Sequence, residues 1–134
     1  MKKLLCALSI LLLSCGSSPK IISDSKIIIG TPTKIGNIEI AQFDFPEEMN
    51  WVDSRKSCEA LGEGWRLPTL EELRIIYENK ENISGFTHAT YWSSNEATIL
   101  LDAWCHNFIS GDQFSTIFNK YNDHFGVRAV RTIK

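Results

Sequence analysis

The sequence predicts an α+β domain, ordered strand, two helices, then several short strands. Three observations carry this. Residues 35–43 alternate apolar and polar, as a half-buried strand does. Two segments, about 51–61 and 70–79, begin with helix-starting residues and continue with apolar positions three or four apart. Beyond Gly85 that period is lost, and short apolar runs alternate with Asn, Asp and Gly.

The first element, Ile35 to Phe43, is stopped by Pro46. Asn50 can cap the helix of about 51–61, with Asp53 at its third position and Gly62 as terminator. Trp51, Cys58 and Leu61 fall near one face of it. Thr69-Leu70-Glu71-Glu72 reads as a capping box, in which hydroxyl and carboxylate each satisfy the other residue's amide. Pro68 makes its approach rigid, and Leu73 and Ile76 start an apolar stripe running to about Asn79. Strands are expected at Tyr91–Ser94, Trp104–Ile109, Gln113–Phe118 and Gly126–Ile133.

A chain of 134 residues has room for one ordinary domain. Hydrophobic residues at 43% and charged ones at 22% exclude wholesale disorder. A formal charge of −2 makes nucleic acid a poor partner, since phosphate binding needs a basic face.

The N-terminus reads as an address. Lys2 and Lys3 precede Leu4 to Leu13, an apolar run too short for a bilayer, which needs about 20 residues, and of signal-peptide length. It ends Leu12-Leu13-Ser14-Cys15, which looks like a bacterial lipobox. On that pattern residues 1–14 are cleaved and Cys15 is the lipid anchor. Gly16 rather than Asp follows it, which implies outer-membrane sorting in a host with two membranes. The mature chain then keeps 12 basic and 16 acidic residues, a charge of −4. Residues 15–34 read as a tether reaching about 60 Å at ~3.3 Å per residue, with the domain spanning 35–134. Cys6 leaves with the signal, so Cys58 and Cys105 remain. Either they form a bridge worth roughly 4 kcal/mol in the chain-entropy account, or they are two unpaired buried thiols acting as small hydrophobes.

Asn50-Trp51, Cys58-Glu59-Ala60-Leu61-Gly62, Gly64-Trp65-Arg66-Leu67-Pro68-Thr69, Tyr91-Trp92-Ser93-Ser94, Ala103-Trp104, Gly111 and Val127-Arg128-Ala129-Val130-Arg131 follow one another in a familiar order. Together they resemble the Lcl C-terminal domain family, over about residues 35–132. The resemblance implies a C-type-lectin-like fold, two helices packed beside a twisted sheet with the termini close together, and extracellular ligand binding. Sulfated glycans are suggested for the adhesin that names the family. Two features depart from it. Ala129 stands where many members have a cysteine, which removes a bridge from Cys58 to the last strand. The mature charge of −4 suits sulfated polymers badly.

Trp65, Arg66, Thr69, Glu72, Trp92, Arg128 and Arg131 are read as scaffold, with Trp in the core and Arg tied to carbonyls or carboxylates such as Glu72. A pocket of Trp and Arg for a sugar acid is the competing reading. No catalytic residues are expected, because Ser93 and Ser94 lack the nucleophile-elbow pattern. His88, His106 and His124 are scattered and read as loop or surface residues, so no metal or other cofactor is expected. The calcium triplets of sugar-binding lectins do not occur, leaving Asp102, Asp112 and Asp123 as turn residues or ligand contacts.

Residues 97–125 are expected to hold the ligand face, through Leu100, Asp102, His106, Asp112, Phe114, Thr116, Phe118, Tyr121, Asp123 and Phe125. C-type-lectin-like domains are the usual display scaffold of diversity-generating retroelements, whose rewritten codons cannot encode Glu, Lys, Gln, Met or Trp. Those types supply 3 of 29 residues here against 24 of 105 elsewhere, a depletion in the direction of diversification. Strands and turns also disfavour Glu and Lys, so a fixed loop set stands beside it. The reading is a non-enzymatic, lipid-anchored binder of a surface glycan or protein. Its alternative is a structural envelope lipoprotein packed against a partner.

Overall fold

A computed structural model describes residues 21–98, 101–116 and 119–134, with side chains in the first helix described from Ser25 onward. Three helices, α1 (Ile21–Ile29), α2 (Trp51–Ala60) and α3 (Leu70–Glu78), accompany two antiparallel three-stranded sheets. One sheet orders β1 (Thr33–Ile35), β2 (Ile38–Ile40) and β6 (Val130–Thr132); the other orders β3 (Thr90–Glu96), β4 (Ala103–Asn107) and β5 (Gln113–Ser115). Pairing of β2 with β6 sets Ile38 opposite Thr132 and lays the last strand beside the first hairpin. Isolated bridges tie Arg66 to Val130 of β6, and Gly126, ahead of β6, to Tyr91 of β3.

The helix starts follow their local chemistry. The Asn50 side chain accepts from the Asp53 amide, and Thr69 and Glu72 complete a reciprocal capping box. Trp51, Ser54 and Cys58 are the buried side of α2; Leu73 and Ile76 are that of α3. Two apolar clusters result. One gathers Trp51, Cys58, Trp65, Leu67, Trp92, Cys105 and Val127; the other gathers Ile38, Ile40, Leu73, Ile76, Tyr91, Phe108 and Val130.

Three expectations change. The alternating run at 35–43 is not one strand but the turn and second arm of a hairpin. Gly36, at φ 56°, supplies the positive-φ residue that a two-residue hairpin loop needs first. The expected tether is folded from residue 21 onward. Ile28 is buried in the core, and the carbonyls of Ile28 and Ile29 accept from the amides of Phe43 and Gln42. Finally, Cys58 and Cys105 are both buried and unbridged, so the disulfide reading gives way to the small-hydrophobe one. Burial drives both thiols well above the ordinary range, which leaves them protonated and poorly nucleophilic.

Candidate functional site

Each arginine of the scaffold is tied to carboxylates or carbonyls, although the buried Nη2 of Arg128 has no hydrogen-bond partner. Arg66 gives Glu72 two hydrogen bonds of 2.8 Å, one from each terminal nitrogen, and the same carboxylate accepts from the Thr69 amide at 2.8 Å. Burial pushes the Glu72 carboxyl up, but the bonds from Arg66 and Thr69 outweigh it and hold the group below the usual carboxylate range. Arg131 bonds Glu39 and Glu63 and lies over the Trp65 ring at 4.8 Å. Arg128 is sealed in the core, donating to Asp44 and to the carbonyls of Ala41, Gln42 and Ser84. Trp92 is buried and donates to the Met49 carbonyl at 2.7 Å. Arg128 and Trp92 are thus inside the core, whereas Arg66 and Arg131 keep part of their side chains at the surface.

The expected ligand face divides. Phe114 (37% exposed) and Tyr121 (51%) reach solvent, as does Leu101 (43%), which the sequence reading passed over. Asp112 is exposed, and Asp123 and Phe125 are half-buried. Phe125 packs against Trp92 with the rings tilted and 4.7 Å apart, and meets Phe114 edge-on at 6.2 Å, so it supports the face rather than presenting it. Leu100 and Phe118 lie outside the described residues.

Asp102, His106 and Thr116 are buried and so are not available to a surface ligand. Thr116 is turned inward, its hydroxyl within 3.3 Å of both the amide and the carbonyl of Ala103. His106 is expected at the surface, as a ligand contact. Instead it sits on β4, the central strand of its sheet, where both faces are covered. Its Nδ1 lies 3.0 Å from the Gln113 amide nitrogen, and its ring packs against Tyr77 and Phe108. Burial lowers its pKa, with Asp112 and Glu78 opposing only in part. Among the described residues no group of three His, Cys, Asp or Glu side chains is placed to hold a metal ion.

Beneath the exposed aromatics the backbone is pinned. Lys120, buried to 4%, donates to Glu96 at 2.6 Å and lies over the Trp51 ring at 4.7 Å. Its amide donates to the Leu101 carbonyl, and its own carbonyl accepts from Trp51, tying the 119–121 turn to both α2 and the end of the β3–β4 connection. Lys120 thus holds Leu101 and Tyr121 in register. Its burial was not foreseen, because Lys is seldom buried without a partner and that partner lies 24 residues away.

A second feature has no counterpart in the sequence reading. An open apolar groove of about 660 Å³ runs between α1, the 43–49 segment and α2. Ser25, Ile27 and Ile28 form one wall, Phe43, Phe45, Pro46 and Met49 the floor and rim, and Ser57, Ala60 and Leu61 the other wall. Ile27 at 62% and Phe43 at 43% are among its most exposed apolar groups. The isoleucine cluster at 27–29 and the Phe43-Asp44-Phe45-Pro46 run were its visible signals.

No known family's sequence pattern and no curated protein matches the chain. Solved structures do. Botrocetin superposes with a TM-score of 0.58 at 10% identity, covering 78% of this chain and 98% of its own. EMS16, described as an antagonist of collagen receptor integrin alpha2beta1, gives 0.54 at 10% identity, covering 75% and 96%. A chain from the complex of botrocetin with the von Willebrand factor A1 domain gives 0.51 at 12% identity, covering 75% and 95%. At such identities the likeness speaks for architecture alone, and the architecture is C-type-lectin-like, of the α+β class.

Proposed function

We propose that the chain is a non-enzymatic, lipid-anchored module of the Lcl C-terminal domain type that recognises a protein on a cell or particle surface. One observation carries it: Phe114 on β5 and Leu101 and Tyr121 on the adjoining loops stand exposed, beside backbone tied down at buried Lys120 and Thr116. Apolar and aromatic side chains held in a fixed frame are how protein-binding surfaces are built. A mature charge of −4 supports a protein over a sulfated glycan. The partners named for the structural neighbours, an integrin antagonised by EMS16 and the A1 domain bound by botrocetin, are proteins too. Cys15 in its lipobox supports anchoring at an extracytoplasmic membrane face, the outer membrane where the host has one. The depletion of Glu, Lys, Gln, Met and Trp over 97–125 supports a retroelement-diversified face.

The test is a protein and glycan array probed with a non-acylated Cys15→Ser form and with its Phe114→Ser, Tyr121→Ser double variant. The expected result is a protein hit that the double variant loses while keeping its melting temperature. A hit that survives the double variant places recognition elsewhere. Acyl labelling of Cys15→Ser checks the anchor, and labelling that persists overturns it. A near-copy of codons 91–131 downstream of the gene, with adenines at varied positions, is the expected mark of diversification.

A further inference from the structure

We infer that the groove between α1 and α2 is a membrane-contact face, and that the domain lies with Ile27 and Phe43 against the bilayer that holds Cys15. The inference rests on the lipid-anchor reading. Only five residues lie between Cys15 and Ile21, the first residue of α1, and the six chain steps between them span at most about 20 Å when fully extended. With residues 21–34 folded onto the domain, the roughly 60 Å of reach that an unfolded tether would give is gone. The groove wall formed by Ser25, Ile27 and Ile28 begins within two turns of the helix start. An anchored domain therefore carries this apolar groove close to the lipid surface.

The chemistry fits a bilayer surface. Ile27 and Phe43 are exposed apolar groups on the groove rim, and Lys26 is exposed beside Ile27, where its ammonium can reach headgroup phosphates while its stem stays apolar. Of the lining carboxylates, Asp44 is committed to Arg128, which leaves Glu47 as the exposed acid. Glu47 favours zwitterionic over anionic lipid.

The experiment uses the acylated chain purified from a bacterial host and reconstituted into phosphatidylcholine–phosphatidylethanolamine vesicles containing spin-labelled phosphatidylcholine. A solvent-sensitive fluorophore is placed on Ile27→Cys and, separately, on Phe114→Cys. Both positions are exposed, whereas Cys58 and Cys105 are buried. The expected result is a blue shift and strong quenching at residue 27, with neither at residue 114. No quenching at 27, in protein whose mass shows the acyl chains, overturns bilayer contact and leaves the anchor standing. A blue shift at 27 without quenching means that the protein's own acyl chain or a protein fills the groove, and it overturns bilayer contact equally. Protein lacking acyl chains overturns the anchor and this inference together.

Discussion

Arg128 and Asp44, 84 residues apart in sequence, meet in the core with Nε 2.6 Å from Oδ1 and both side chains sealed from water. The same carboxylate accepts from the Tyr91 hydroxyl at 2.7 Å and from the amide and hydroxyl of Thr87 at 2.8 and 2.9 Å. One carboxylate thereby ties the segment after β2, the approach to β3 and the approach to β6. Its proximity, as charge and as acceptor, adds to burial in pushing the Tyr91 phenol above its ordinary range.

Removing that carboxylate leaves a guanidinium buried without its counter-charge. Asp44→Ala is expected to cost about 3–5 kcal/mol, the usual result of breaking a buried pair from one side. Glu59→Ala, which removes an exposed pair with Arg55 at 3.8 Å, should cost at most about 0.5 kcal/mol. Urea unfolding of both variants checks the contrast, and equal costs would mean that Arg128 finds other partners.

The capping box gives a stability and a pH prediction. Thr69→Ala should lose about 1 kcal/mol, because the Glu72 amide loses its acceptor. The Glu72 carboxyl titrates lower in the folded state than in the unfolded one. Its contribution is therefore present above the unfolded value, about 4.3, and is lost as pH falls through the lower folded value. Wild type should lose more stability between pH 5 and 3 than Glu72→Gln does, by parallel melting curves.

His106 predicts a slope nearer neutrality. Burial depresses its folded pKa, so between that value and the unfolded one, about 6.5, the unfolded chain holds more protons. Stability from the neutral ring is full above about pH 6.5 and declines as pH falls toward the folded value. His106→Gln should flatten the melting temperature between pH 7 and 5; an unchanged slope would assign it to another group.

Unbridged thiols predict indifference to reductant. Dithiothreitol should leave the melting temperature unchanged. A thiol reagent should label neither Cys58 nor Cys105 in the native protein and both after denaturation.

What was legible in the sequence was local. The Asn50 cap and the Thr69–Glu72 box lie within four residues, so spacing alone identifies them. The hairpin was hidden because Gly36 interrupts an alternation that otherwise continues across it. Helix α1 was missed because what fixes its end, the backbone at Gln42 and Phe43, lies beyond the next two strands. His106 looked like a surface residue because one-sided alternation does not reveal a strand covered on both faces. The groove draws its walls from three separate segments, and no single stretch announces it.

The amide of Ile133 donates to the carbonyl of Asn37, so entry to and exit from the β2–β6 closure are neighbours. A unit whose ends adjoin behaves as a cassette. It can be appended to a lipid signal or to a stalk without moving the residues that hold its core. The loops of 97–125 can then change their side chains while both the attachment and the closing strands stay as they are.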